Sequence, residues 1–368
     1  MIKIFVLFLL LMSFSFANNS FEKNQKCSEC HVEIYKEYQT SQHANATIFK
    51  DPIHKAIYDK HPQKNKLEKY RCAKCHTPAA DNLDELLQVN NGVIPDAKNE
   101  SQNEAVACAY CHRIVDVKAG TAMNENVISK EPKKYFANLK KEHKSKFHTL
   151  ETNIEVFENG KLCMGCHMHK TNKKKFEVCS TEHNNMDGKN NCITCHMPKV
   201  KGSISNLFTT KTHAFHGFPG LHGDIKKYLG KYVLLDIKQN KNGFSINVNH
   251  KATHSLTLHP LRMAELLVTV KRAGKTFKLE PVKFFKVIGT NNKPSAPWLA
   301  TQIVKDKRIG ANETKEFNFN FELKSEDVIN VEFGYFLVNP KVLKKFGLEE
   351  DEESKKFRVI SSKTKVIN

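Results

Sequence analysis

The chain has 368 residues, 26% charged and 40% hydrophobic, with a formal net charge of +19, eleven cysteines and eighteen histidines. That length suggests two domains rather than one. So positive a balance raises nucleic acid as a partner, but the distribution argues against it: residues 18–224 hold 30 Lys and Arg against 24 Asp and Glu, residues 225–368 hold 27 against 15.

Residues 1–17, MIKIFVLFLLLMSFSFA, place one cation, Lys3, before an unbroken apolar run from Ile4 to Met12, with Ser15 and Ala17 spaced like a cleavage site. This is the build of a secretory signal peptide, and the run is too short to span a bilayer. The alternative is an uncleaved N-terminal anchor. The first reading puts the mature chain in the periplasm, starting near Asn18.

Ten of the eleven cysteines fall into five copies of one pattern: Cys27-Ser-Glu-Cys30-His31, Cys72-Ala-Lys-Cys75-His76, Cys108-Ala-Tyr-Cys111-His112, Cys163-Met-Gly-Cys166-His167 and Cys192-Ile-Thr-Cys195-His196. The two intervening residues vary; Cys, Cys and His do not. A redox-active dithiol needs one pair and no histidine behind it. Disulfides are indifferent to the residue after the second cysteine. Structural zinc takes four ligands, usually from two knuckles, and five knuckles leave one over. Covalent haem accounts for every position: the two thiols bond the vinyl groups on one porphyrin edge, and the next residue turns its imidazole under the ring to hold the iron. The sequence therefore predicts five covalently attached haem c groups. Cys27, Cys30, Cys72, Cys75, Cys108, Cys111, Cys163, Cys166, Cys192 and Cys195 tether them, and His31, His76, His112, His167 and His196 are the proximal ligands.

Residues 18–224 carry all five motifs and few long apolar periodicities, only short helical pieces such as 32–39 (VEIYKEYQ) and 155–162 (EVFENGKL). Such a stretch cannot bury enough side chain for an ordinary core, so the porphyrins replace it and folding is coupled to their attachment. Cys179, the eleventh cysteine, stands one residue too far from His183 to complete a sixth motif. It reads as a buried lone thiol, with a reactive thiol as the alternative. From about residue 228 the period becomes two, in Phe244, Ile246 and Val248; Leu266, Val268 and Val270; Phe317, Phe319 and Phe321; and Val331, Phe333 and Tyr335. Some seven short strands separated by turn signals suggest a β-sandwich. The predicted class is α+β: a multihaem domain of short helices and loops packed around haems over 18–224, then a β-sandwich-like domain over 225–368 that caps it. The acidic run 349–353 (EEDEE) reads as a solvated turn.

A second axial histidine makes an iron six-coordinate and suited to passing electrons; an open position suits substrate chemistry. Thirteen histidines lie outside the motifs. The distal candidates are His43 in TSQHANA, on what reads as a helix continuing from the first motif; His148 in KSKFHTL; His183 in STEHNN; His213 and His216 in KTHAFHGF; and His54. The plain alternative for each is a solvated or propionate-binding histidine. His169, two residues past a proximal ligand, is a poorer choice. Met168 and Met197 directly follow proximal histidines and cannot easily reach the opposite face.

The stretches CSECHVEIYKEYQTSQHANA, LCMGCH, CSTEHNN, CITCHMPK and THAFHGFPG resemble multihaem cytochromes of the cytochrome c-554 type, and NHKATHSLTLHPLR with KDKRIGANETKEF is similar to a β-domain attached to such proteins. The resemblance spans most of the mature chain. It implies closely packed haem pairs acting as an electron wire, with His43 and one of His213 or His216 as distal ligands, and a haem in such proteins that lacks a distal ligand. Carrying five haems is a departure from that pattern.

The resulting expectation is a pentahaem electron carrier of anaerobic respiration, taking electrons from a quinol-linked donor and passing them to a terminal reductase, with no catalytic residue of its own. The alternative is a multihaem reductase or oxidase of a small nitrogen or sulfur compound, with one open coordination site. Pentahaem nitrite reductases carry Cys-x-x-Cys-Lys at the active haem, and all five motifs here end in His. The basic C-terminal half suits docking to an acidic redox partner or peripheral association with anionic lipid; nucleic acid is not an expected partner.

Overall fold

The computed structural model describes residues 21–65, 69–88, 93–139, 142–181, 189–220 and 222–368. Residues 1–17, where the sequence predicts a signal peptide, and the candidate ligand His183 lie outside them. The chain is α+β, and its texture changes where the sequence pattern changes.

Up to about residue 224 it is built of short helices joined by small sheets. The helix Val32–Gln39 occupies the predicted stretch. Pro52–Lys60 begins where Asp51 Oδ1 accepts from the amides of Ile53 (2.9 Å) and His54 (3.1 Å), with Pro52 at the first position, where a missing N–H costs nothing. The second predicted helix, 155–162, is divided. Asn153 caps Ile154–Glu158, Gly160 turns left-handed (φ 72°), and a separate 3₁₀ turn runs over Lys161–Cys163.

Four small sheets in this part have no counterpart in the sequence reading. Ile114–Lys118 pairs Glu125–Ile128, and His169–Thr171 pairs Glu177–Ser180. Lys199–Lys201 pairs Thr212–Ala214, while Thr149–Thr152 lies between Lys134–Ala137 and His143–Lys144. Strands of two to five residues hold too few alternations to register as period two. The buried apolar residues here form two modest groups rich in alanine and tyrosine, one around Tyr58, Tyr70 and Leu86, the other around Tyr110, Ile114 and Phe157.

The C-terminal part is a true core. Val233–Asn240, Gly243–His250 and Thr314–Asn320 form one antiparallel sheet. Lys275–Lys278, Met263–Arg272, Val328–Phe336 and Arg358–Val366 form another, with Val282–Phe284 also on Met263–Arg272. Phe244, Ile246 and Val248 from the first sheet and Leu266, Val270 and Phe333 from the second are fully buried in one shared cluster, the packing of a sandwich. A smaller sheet, Lys286–Thr290 with Lys293–Pro294 and Gln302–Asp306, lies beside them. In the acidic run, Asp351 caps Glu352–Lys355 and Glu353 pairs with Arg358.

The two parts are fused. Ile53 belongs to the sandwich core, and Ala56 and Ile57 pack against it, so the helix Pro52–Lys60 docks its apolar face on the β-region. Asn172, in the hairpin after the fourth motif, donates from Nδ2 to the carbonyls of Pro297 (2.9 Å) and Ala300 (2.7 Å). Phe333→Ala empties a fully buried site at the centre of the second sheet and should cost about 3–5 kcal/mol, measured by denaturant unfolding followed by far-ultraviolet circular dichroism.

Candidate haem sites

Each motif is one turn of helix, which puts the two cysteines, three residues apart, on one face with the histidine beside them. The amide of the motif histidine bonds the carbonyl of the first cysteine at His31 (3.0 Å), His76 (2.9 Å) and His112 (3.0 Å). The fifth motif shows how the sequence starts such a turn. Asn191 Oδ1 accepts from the amides of Ile193 and Thr194, and Thr194 Oγ1 accepts in return from the Asn191 amide, a reciprocal cap immediately before Cys192. All eleven cysteines are free thiols. Among the described residues no three His, Cys, Asp or Glu side chains converge on a point where a bare metal ion could sit.

The imidazoles are oriented by backbone carbonyls. His31 Nδ1 lies 2.7 Å from the Ile204 oxygen, His76 Nδ1 3.0 Å from Ala46, His112 Nδ1 2.8 Å from Phe136 and His196 Nδ1 2.5 Å from Pro219. A carbonyl only accepts, so Nδ1 carries the proton and Nε2 keeps a free lone pair, the arrangement a metal-ligating histidine needs. Burial also favours the neutral ring: it pushes the pKa of His43, His76 and His216 down to about 3, and lowers those of His112, His148, His167 and His254.

Four motif histidines face a second imidazole at a nearly constant distance. Ring centres are 6.3 Å apart for His31 and His148, 6.0 Å for His167 and His43, 6.3 Å for His112 and His216, and 6.2 Å for His196 and His254. A metal–nitrogen bond of about 2 Å on each side, plus about 1 Å from nitrogen to ring centre, requires about 6 Å between the centres. The residues present fit an iron held between two imidazoles at these four places.

The remaining candidates are placed differently. His54 is buried beside His76, but the two rings are only 4.0 Å apart. Both Nδ1 atoms bond the same Ala46 oxygen, which draws the rings side by side, and His54 Nε2 meets the Tyr70 hydroxyl at 3.3 Å. Opposed axial ligands cannot share one carbonyl, so the structure does not set His54 across an iron from His76. His213 turns from every motif: its Nε2 lies 2.9 Å from Glu37 Oε1, and Glu37 Oε2 accepts the His216 amide at 2.9 Å. Glu37 thereby holds the loop that presents His216.

The sequence reading missed His254. It sits in the β-region, which was expected only to cap the haem array. The available signal was the crowding of His250, His254 and His259 into ten residues of an otherwise strand-forming segment.

Cysteines of different motifs also meet. Cys27 contacts Cys108, Cys75 contacts Cys166, and Cys163 contacts Cys192. The tethering edges of the first and third, second and fourth, and fourth and fifth sites are therefore adjacent. The fifth reaches the β-region, with Cys195 Sγ 3.3 Å from the Tyr232 hydroxyl.

Repeated thiol pairs on helical turns, four of the five with the motif imidazole held in its ligating tautomer, mark a multihaem c-type cytochrome, an electron-transfer protein that binds haem c. Residues 26–113 match the family described as "Cytochrome c554 and c-prime". No curated protein matches the sequence. Among solved structures, the chain is similar to a penta-heme cytochrome c552 from Thermochromatium tepidum, with 22% identity and a TM-score of 0.69 over 94% of this chain and 99% of that one. The shared fold thus includes the C-terminal β-region. A curli protein, CsgC, of E. coli aligns with 36% of this chain and 94% of its own at 9% identity, but its TM-score of 0.18 carries no argument.

His254→Ala should leave the haem count by mass spectrometry unchanged, while one haem becomes high-spin in the oxidised absorption spectrum and binds carbon monoxide when reduced. His213→Ala should change neither spin state nor carbon monoxide binding.

Proposed function

We propose that the chain is a pentahaem electron carrier of the periplasm, passing electrons between a respiratory donor and a terminal reductase. The observation that carries this reading is the set of four imidazole pairs with ring centres 6.0–6.3 Å apart, each suited to closing both axial positions of an iron. When bound, haem supplies a one-electron couple. The ten motif cysteines tether it at five sites, and His31, His76, His112, His167 and His196 hold the iron from one side. His148, His216, His43 and His254 face His31, His112, His167 and His196 respectively. The carbonyls of Ile204, Ala46, Phe136 and Pro219 fix ring direction and tautomer, and the contacts between cysteines of different motifs keep neighbouring sites edge to edge.

The apolar leader at 1–17 supports export. Among the described residues no helix is long and apolar enough to cross a membrane. The excess of Lys and Arg over residues 225–368 supports docking to an acidic redox protein, with anionic lipid as a further surface it suits.

One observation favours a second reading. Among the described residues His76 has no histidine across from it at ligating distance, since His54 is held beside it by the Ala46 carbonyl. An open position there suits a reductase or oxidase of a small nitrogen or sulfur compound. Mass spectrometry of the holoprotein should count five haems, and Cys192→Ser with Cys195→Ser should remove one. A carbon monoxide titration of the reduced protein separates the two functions. The carrier binds at most one equivalent and is not continuously reoxidised by nitrite, hydroxylamine or sulfite; steady turnover with one of these establishes the enzyme. Electron transfer to an acidic partner protein should slow as salt is added, and a rate indifferent to ionic strength rules out the steering role.

A further inference from the structure

The junction between the haem-bearing part and the β-region gathers cations that form no ion pair among the described residues. Arg262 is half-buried, yet its Nε and Nη1 are buried and have no hydrogen-bond partner. Its backbone is fixed, the amide donating to the His259 carbonyl at 2.9 Å, so the guanidinium is presented from an ordered turn. Lys286, at the start of the strand Lys286–Thr290, is buried to 6% exposure and forms no ion pair among the described residues. Lys170 lies directly opposite Cys179 across the hairpin His169–Thr171 and Glu177–Ser180. Cys179 lies within the electrostatic reach of all three cations, and so does the ring of His259, whose buried imidazole they help to keep neutral.

Among the described residues the acids within reach are already engaged or exposed. Asp306, across the sheet from Lys286, is held by Arg308 through two nitrogens. Asp51 caps the helix Pro52–Lys60 and accepts from Gln42. Glu177 is exposed on the hairpin edge, and Tyr335, also near Arg262, is a neutral phenol. Buried guanidinium and ammonium groups without a negative partner are costly, and such a cluster exists because something anionic completes it. Guanidinium nitrogens side by side suit the two oxygens of a carboxylate or oxyanion. The cluster also adjoins the second motif: the charge of Lys170 acts on Cys72, Cys75 and His76.

We propose that Arg262 and Lys286, with the exposed Lys170 at the edge, form an anion site at the domain junction beside the second haem motif, taking a carboxylate or a small oxyanion. Two sources supply that chemistry: a propionate of the haem on Cys72 and Cys75, or a free anion from solution. Only the first rests on haem attachment at that motif.

The test compares the wild-type holoprotein with Arg262→Gln, Lys286→Met and the charge-preserving Arg262→Lys, using Lys238→Gln, an exposed position, to remove the same charge elsewhere. Calorimetric titration uses phosphate and nitrite as probes, and spectroelectrochemistry reads the midpoint potential of each haem. A free-anion site gives saturable uptake by the wild type, weakened at least tenfold in Arg262→Gln and largely kept in Arg262→Lys. A propionate site gives no uptake, but one haem potential falls in Arg262→Gln and becomes pH-dependent near neutrality as the released carboxyl titrates; Arg262→Lys restores it and Lys238→Gln leaves it alone. No uptake, with potentials either unmoved or lowered without the pH dependence, overturns the proposal. Haem absorbance and circular dichroism of Lys286→Met, which should show the same change in weaker form, separate loss of the anion from loss of the fold.

Discussion

An iron between two imidazoles demands a fixed gap and a fixed tautomer, and most of the fold before residue 224 is intelligible as the means of holding both. The gap recurs four times within 0.3 Å, between residues as far apart in sequence as His43 and His167 or His31 and His148. No single secondary element sets such distances. In three of the four pairs the motif ring is directed by a carbonyl that grips Nδ1, and those carbonyls belong to loops and a short strand: Phe136 in a three-stranded sheet, Ile204 after the fifth motif, Pro219 beyond the last hairpin.

This division of labour explains why the two parts are fused. A segment whose apolar clusters are small and rich in alanine gains little from burial of its own side chains, and its order depends on what is attached to it and what it leans on. The β-sandwich supplies the second support. It takes Ile53 into its core, receives the Asn172 hydrogen bonds, and places His254 opposite His196. The last contact goes beyond a cap: the β-region brings an imidazole to face the motif histidine of the fifth site.

What the sequence disclosed was whatever is local. Five identical motifs, a two-turn helix over 32–39 and strands of seven to ten residues all leave their mark within a short window. The imidazole pairs do not. His213 and His216 stand three residues apart in indistinguishable surroundings, and what separates them is Glu37, far away in the chain, which takes the ring of the first and the amide of the second. His54 looked eligible for the same reason, until a carbonyl shared with His76 put the two rings side by side. His254 was passed over because period-two alternation marks a strand domain and says nothing of the loops between strands.

The order of sites in space is set by the cysteine contacts rather than by the chain. The first site adjoins the third, the second adjoins the fourth, and the fourth adjoins the fifth. These contacts join the first site to the third and, separately, the second and fifth to the fourth. They also separate the two unusual sites. Among the described residues, the second has no imidazole opposite His76 but has cations without ion pairs beside it, the fifth faces His254 of the β-region, and both are neighbours of the fourth without a cysteine contact to each other. By these contacts the fourth site, whose imidazoles are His167 and His43, is the one that links the second to the fifth.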